Sequence, residues 1–150
     1  MKNYDPSMHT TEHVLNRAMT NMFNCGRAFS SHLEKKKSKC DYHFTRNLTS
    51  DEIIQITTIV NDTLSQHLPV QELLIPFAEA ATLVDLSKLP EHARQGDIRI
   101  VKIGEYDICA CIGMHVNNTS EVSGKFEIIS TDYDADVLRI RFKIKERQTA

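Results

Sequence analysis

Four residues of this chain have the chemistry to hold a metal ion of borderline softness. His9 and His13 stand four positions apart near the start, and Cys111 and His115 repeat that offset far downstream. One thiolate and three imidazoles make a full ligand set for Zn2+, which favours nitrogen and sulfur donors in tetrahedral geometry. Either pair alone has an ordinary explanation, because a histidine near a helix start is commonly a surface residue or a cap. Together they complete the ligand count from two distant segments with none left over, and their spacing differs from that of a compact C2H2 finger. Zn2+ is the candidate cofactor, with His9, His13, Cys111 and His115 as its ligands.

The elements that must position these residues can be read from periodicity. Thr10 or Thr11 caps a first helix running to about Asn24, with Val14, Leu15, Ala18, Met19, Met22 and Phe23 as its apolar stripe. On this reading residues 1–8 are polar and loosely held, and His9 and His13 lie just before and within the first turn, facing one cleft. Ala28 to Leu33 and Cys40 to Phe44 flank a lysine-rich turn and predict a hairpin. Thr49 and Glu52 form a capping-box pair for a second helix that buries Ile53, Ile56, Ile59, Val60 and Leu64 and stops near His67, before Pro69. Val70 to Ile75 predicts a strand, and Pro76 opens a short helix through Phe77, Ala80, Ala81 and Leu83. After a loop from Asp85 to Asp97, the run Ile98 to Ile103 is apolar on both alternating faces, as in a strand buried on both sides. Tyr106 to Ala110, Lys125 to Thr131 and Val137 to Lys145 supply further strands, the last two joined through a turn at Asp132 to Asp136. The fold class is α+β, a mainly antiparallel sheet with helices packed on one face.

Composition narrows the function classes. A chain of 150 residues that is 41% hydrophobic and 25% charged can build one core, so 1–150 is read as a single domain. Its net charge of -2 argues against a strongly basic nucleic-acid binder, and no DNA partner is expected, although Glu34 to Lys39 and the tail Arg139 to Arg147 concentrate positive charge locally. No apolar run reaches the ~20 residues of a membrane helix and the start has no secretory signal, so the expectation is a cytoplasmic protein, monomeric or a weak homodimer, without a membrane partner. Cys109 and Cys111 point to one strand face at a separation unsuited to an ordinary disulfide, which favours reduced thiols. Cys109 is then either a core thiol beside the site or a swapped ligand.

A resemblance sharpens this reading. His9-Thr10-Thr11-Glu12-His13-Val14-Leu15 and the segment Cys111-Ile112-Gly113-Met114-His115-Val116 resemble the His-Thr-x-x-His and Cys-Gly-Gly-Thr-His-Val motifs of the alanyl-tRNA synthetase editing domain and its freestanding AlaX-type relatives. Similarity runs on through Leu48-Thr49, Val60-Asn61, Leu68-Pro69-Val70, Gly96 to Val101 and Phe126 to Ser130, in the family order. The resemblance implies the fold of the threonyl/alanyl-tRNA synthetase second additional domain. It also implies a zinc-dependent deacylase that hydrolyses the ester at the acceptor end of a mischarged tRNA, seryl- or glycyl-tRNA of the alanine system, acting in trans. The editing domain of threonyl-tRNA synthetase carries similar pairs. Departures from the pattern are Ile112 and Met114 for a glycine and a threonine, Ala110 for a proline, Ser120 for a glycine and His43 for an aspartate.

Within that implied site Glu12 is a candidate base or orienter, its alternative being an acidic residue favoured by the helix dipole. Thr10 can bond substrate or cap the helix. Ile112 and Met114 are expected to line and narrow the substrate cavity, Asn117 and Thr119 to form its rim or ordinary turn chemistry, and Lys36 and Arg99 to meet tRNA phosphates. Four tight protein ligands resemble a closed structural zinc site, whereas hydrolysis needs room for water. The alternatives are therefore a zinc-stabilised non-catalytic tRNA-binding protein, or an editing-like hydrolase of another aminoacyl-tRNA or a small ester.

Overall fold

The computed structural model describes residues 5–87 and 89–146; Arg147 of the basic tail and the first four residues of the polar start lie outside them. Helix α1 spans Pro6–Phe23. It begins earlier than the Thr10 or Thr11 cap predicts, because Asp5 is the cap: its side chain accepts from the Ser7 and Met8 N–H groups, and Pro6 takes the first turn where no N–H is needed. Residues 5–8 are thus a capped helix start rather than a loose lead. His9 and His13 consequently sit one full turn apart inside α1. The helix stops at Asn24, whose left-handed φ of 53° turns the chain and whose N–H donates to the Thr20 carbonyl.

The strands divide into two antiparallel sheets. One has the order β1-β2-β7-β6, from β1 (Ser30–His32), β2 (Ser38–His43), β6 (Lys125–Asp134) and β7 (Val137–Lys145); the other is β3-β4-β5, from β3 (Val70–Pro76), β4 (Asp97–Ile103) and β5 (Asp107–Ala110). Helix α2 (Ser50–Leu64) carries the predicted capping box at Thr49 and Glu52, and ends before His67. The Asp132 to Asp136 turn contracts to Ala135 and Asp136, with φ of 48° and 65°. Two consecutive positive φ values make the tight hairpin turn whose twist matches that of its strands.

Helices α1 and α2 cover the inner face of the four-stranded sheet, burying Cys40, Tyr42, Phe126, Leu138, Ile140 and Phe142 against Val14, Leu15, Met19, Ile56 and Val60. Strand β4 is buried on both sides, as its sequence predicts: Val101 and Ile103 join this main core, while Ile98 and Ile100 face a smaller cluster with Ala80 of α3 (Phe77–Leu83) and Leu89. One polar residue ties the layers together. Asn16 Oδ1 accepts from the buried Tyr42 hydroxyl at 2.7 Å and from the Ala28 N–H at 3.1 Å. Among the described residues no helix is long and apolar enough to cross a membrane.

Candidate metal centre

Strand β5 and the segment after it carry one side of the site. With a period of two, Asp107, Cys109 and Cys111 fall on one face of the extended chain, towards α1. The chain then loops through His115 and is held at both ends. Arg99 donates to the Cys111 carbonyl at 2.7 Å and accepts the Cys111 N–H on its own carbonyl at 3.2 Å. Further on, Asn117 accepts from the Val70 N–H, and Thr119 exchanges bonds with the backbone of Leu68.

These supports bring the four predicted ligands together. Cys111 Sγ lies 3.3 Å from His9 Nε2 and 3.5 Å from His115 Nε2, and the four residues each offer a donor atom within 4.8 Å of the others. The rings interlock, His9 stacking on His115 at 4.0 Å and His13 set edge-on to both at 4.9 and 4.4 Å. A tetrahedral zinc with Zn–S of about 2.3 Å and Zn–N of about 2.0–2.1 Å has a sulfur-to-nitrogen edge of roughly 3.6 Å. The two separations from Cys111 lie close to that edge, and the His13 donor is within 4.8 Å of the rest, so the donor set can hold the ion.

Ring orientation comes from the opposite nitrogens. His9 Nδ1 donates to the Met114 carbonyl at 3.0 Å, which can only accept, leaving Nε2 with its lone pair. His115 Nδ1 pairs with Thr10 Oγ1 at 2.9 Å, and the same hydroxyl accepts the Val116 N–H at 3.3 Å. His13 Nδ1 faces Cys109 Sγ at 3.1 Å and Asp107 Oδ2 at 3.6 Å. Gly113 leaves room for this packing: a Cβ placed there would lie 2.2 Å from His9 Cε1 and 2.6 Å from Nδ1.

The electrostatics favour a thiolate. Burial opposes ionisation of Cys111, but hydrogen bonds from His115, His13 and His9 prevail and bring its thiol down to about 3. Burial likewise opposes charge on His13, yet Cys109, Asp107 and Cys111 around it raise it well above the usual histidine value. His115 is pushed down to about 4 by burial and, against the pull of Cys111, by the nearby His13 and His9. The surroundings of Cys111 thus favour the thiolate, the form in which a cysteine binds a metal ion.

The other predicted site residues take varied places. Thr10 is fully buried within α1, so it does not cap the helix but orients His115. Glu12 is buried beside the site with Oε1 3.8 Å from His13 Nε2. Ile112 and Met114 are 43% and 69% exposed; it is the Met114 carbonyl, and not its side chain, that supports a ligand. Asn117 is exposed and Thr119 buried, and both are engaged in pinning the loop. Lys36 stands exposed in the β1–β2 turn, while Arg99 is occupied by Cys111 and by Glu72. Sequence reasoning missed Asp107, Arg17 and Arg27. The alternation of Asp107 with Cys109 and Cys111 is the one signal that pointed to the first; Cys109 itself is a buried thiol that forms a second donor group with His13 and Asp107.

Comparison with known proteins agrees with this geometry. Residues 98–141 match the family described as the threonyl and alanyl tRNA synthetase second additional domain. The chain is 32% identical over 124 residues to the alanine-tRNA ligase of Bacillus subtilis, an alignment covering 81% of this chain and 14% of that enzyme. The alanine-tRNA ligase of Fervidobacterium nodosum matches at 32% over 124 residues, with the same coverage, and that of Caldicellulosiruptor saccharolyticus at 28% over 123 residues. The chain thus spans about 14% of the length of the ligases it matches. With an α+β fold of antiparallel sheets, a matched family segment that holds Cys111 and His115, and relatives aligned over four-fifths of its length, the chain is similar to the editing domain of alanyl-tRNA synthetase.

Proposed function

We propose that the chain is a zinc-dependent aminoacyl-tRNA deacylase acting in trans on mischarged tRNA, with seryl- or glycyl-tRNA of the alanine system as substrate. The observation that carries the proposal is the convergence of His9, His13, Cys111 and His115, whose donor atoms all lie within 4.8 Å of one another. These four would hold the ion, which when bound supplies a Lewis acid able to polarise the ester carbonyl or anchor the α-amine.

The chain's own groups do the rest. Thr10 and the Met114 carbonyl hold His115 and His9 in register through their Nδ1 atoms. Glu12, 3.8 Å from His13 Nε2, is the nearest carboxylate to the ligand set on α1 and the candidate base. It would take a proton from a water attacking the ester carbon; the bond to the ribose oxygen then breaks and that oxygen regains a proton. The acceptor end is single-stranded and would approach from the exposed side of the loop at Ile112 and Met114.

The test is a deacylation time course with zinc-loaded protein on seryl-, glycyl- and alanyl-tRNA, beside Glu12→Gln and His13→Ala variants of verified fold. Loss of a mischarged ester, sparing alanyl-tRNA and slowed at least about 100-fold in both variants, supports the reading. A second reading follows from the closed four-ligand set: a zinc-stabilised protein that binds tRNA without cleaving it. Retention of charged tRNA by metal-replete protein with every ester intact would favour that one.

A further inference from the structure

We infer that Asp107, clamped by Arg17 and Arg27, is the positioning residue that fixes His13 as an Nε2 donor; this rests on the reading of His13 as a zinc ligand. The Asp107 side chain has no solvent exposure. Arg27 grips it with two bonds, Nη1 to Oδ1 at 2.8 Å and Nη2 to Oδ2 at 3.1 Å, and Arg17 Nε adds a third to Oδ1 at 2.9 Å. The Arg27 fork and the Arg17 Nε fix the carboxylate in place, and its Oδ2, which also accepts from Arg27, lies 3.6 Å from His13 Nδ1. Two carboxylates, Asp107 and Glu12, and two guanidiniums share this region, so their charges balance.

The inference turns on a choice that Cys109 alone cannot make. A thiol 3.1 Å from Nδ1 can accept the ring N–H, or it can donate its own S–H to the Nδ1 lone pair. In the second arrangement the neutral ring carries its proton on Nε2, and His13 cannot bind an ion through that atom. A buried carboxylate facing Nδ1 removes the degeneracy: an N–H pointing at it is attracted, a lone pair is repelled. His9 and His115 have a carbonyl and a hydroxyl in the same place. His13 has Asp107, backed by Arg17 from its own helix and Arg27 from the segment after it.

The arrangement is tested with Asp107→Asn and Asp107→Glu, measuring zinc affinity by chelator competition and the visible spectrum of the cobalt-substituted protein, with circular dichroism as the folding control. Folded Asp107→Asn is expected to bind zinc about 10–100-fold more weakly, with Asp107→Glu recovering part of the loss. Equal affinity in folded Asp107→Asn overturns the inference. Because Asp107→Asn leaves two guanidiniums without their carboxylate and can fail to fold, a second measurement uses the unaltered chain: long-range proton–nitrogen NMR of the zinc-loaded protein. His13 is expected to show a protonated Nδ1 and a metal-bound Nε2; the reverse pattern overturns the inference. Should the unaltered chain take up no zinc at all, the metal reading itself fails and carries this one with it.

Discussion

Gly113→Ala tests the site through space alone. The position has no left-handed φ, so alanine's backbone preferences are not the issue; the Cβ is. It would sit 2.2 Å from His9 Cε1 and 2.6 Å from Nδ1, so ring or loop must move until both distances pass about 3.4 Å. A retreat of that size exceeds several-fold the ~0.2 Å tolerance of a metal-ligand distance. It also pulls Nδ1 away from the Met114 carbonyl that orients it. The added carbon is expected to cost about 1–3 kcal/mol of stability, as overpacking does. Zinc affinity should fall at least about 100-fold, beyond the effect of losing an outer partner, since a ligand itself is displaced. Thermal unfolding and chelator competition measure the two effects separately. Gly26→Ala is the control: nothing lies within 4 Å of its added carbon, and its expected change in stability is within about 0.5 kcal/mol. If Gly113→Ala keeps zinc affinity within a few-fold of the unaltered chain, the packing of His9 against this loop does not govern the site, and the reasoning fails.

Three further outcomes follow from other parts of the molecule. Zinc at 100 times its dissociation constant should stabilise the folded chain by about 2.7 kcal/mol, and Cys111→Ala should remove most of that gain; calorimetry with and without chelator reads both. Arg46, paired with Glu52 at 2.7 Å, and the Thr49 N–H bring the Glu52 carboxyl down to about 2. Since the folded value lies below the ordinary one of 4.5, the stability from this pair is fully present above pH 4.5 and is lost as pH falls through about 2. The gap in melting temperature between the unaltered chain and Arg46→Met should therefore close over that window, and shrink with salt because the pair is partly exposed; a gap independent of pH would refute it. Asn16→Leu leaves the Tyr42 hydroxyl and the Ala28 N–H without their acceptor and should cost roughly 2–4 kcal/mol by urea unfolding, about twice the loss from Tyr42→Phe.

How much of this was legible in sequence depends on what kind of signal each part leaves. The ligand set is legible because thiol and imidazole are rare chemical types and their offsets survive in the chain. The start of α1 is not, for a physical reason: His9, Thr10, Glu12 and His13 are polar yet buried, because they line or support the site instead of facing water, and the buried Thr11 hydroxyl is spent on the Ser7 carbonyl. A reading that equates polarity with exposure places the helix start too late. Strand β4 is legible as a strand buried twice over, since both alternating faces are apolar. The division into two sheets is not, because β2 pairs with β7 from the other end of the chain and no local pattern encodes that partner. Ala135 and Asp136 make their turn without the glycine or asparagine that usually marks one. Asp107 is a single acidic letter until folding brings Arg17 and Arg27 to it.

The loop at the site also explains why Ile112 and Met114 are tolerated there. Its chain continues the period of β5: Cys111, Gly113 and His115 face the ligand set, with Gly113 pressed against the His9 ring, while Ile112 and Met114 between them are exposed. Two bulky apolar residues beside a metal site would be expected to fill it. Here the alternation turns them outward, and the loop contributes to the site by a thiol, an imidazole, a carbonyl and a missing Cβ. The identity of residues 112 and 114 is therefore uncoupled from ligand geometry and coupled only to what arrives from solvent. Gly113 is the opposite case: its side chain would have nowhere to go but the His9 ring. A side chain at 112 or 114 points away from the His9 ring, and one at 113 cannot be added without moving that ring or the loop.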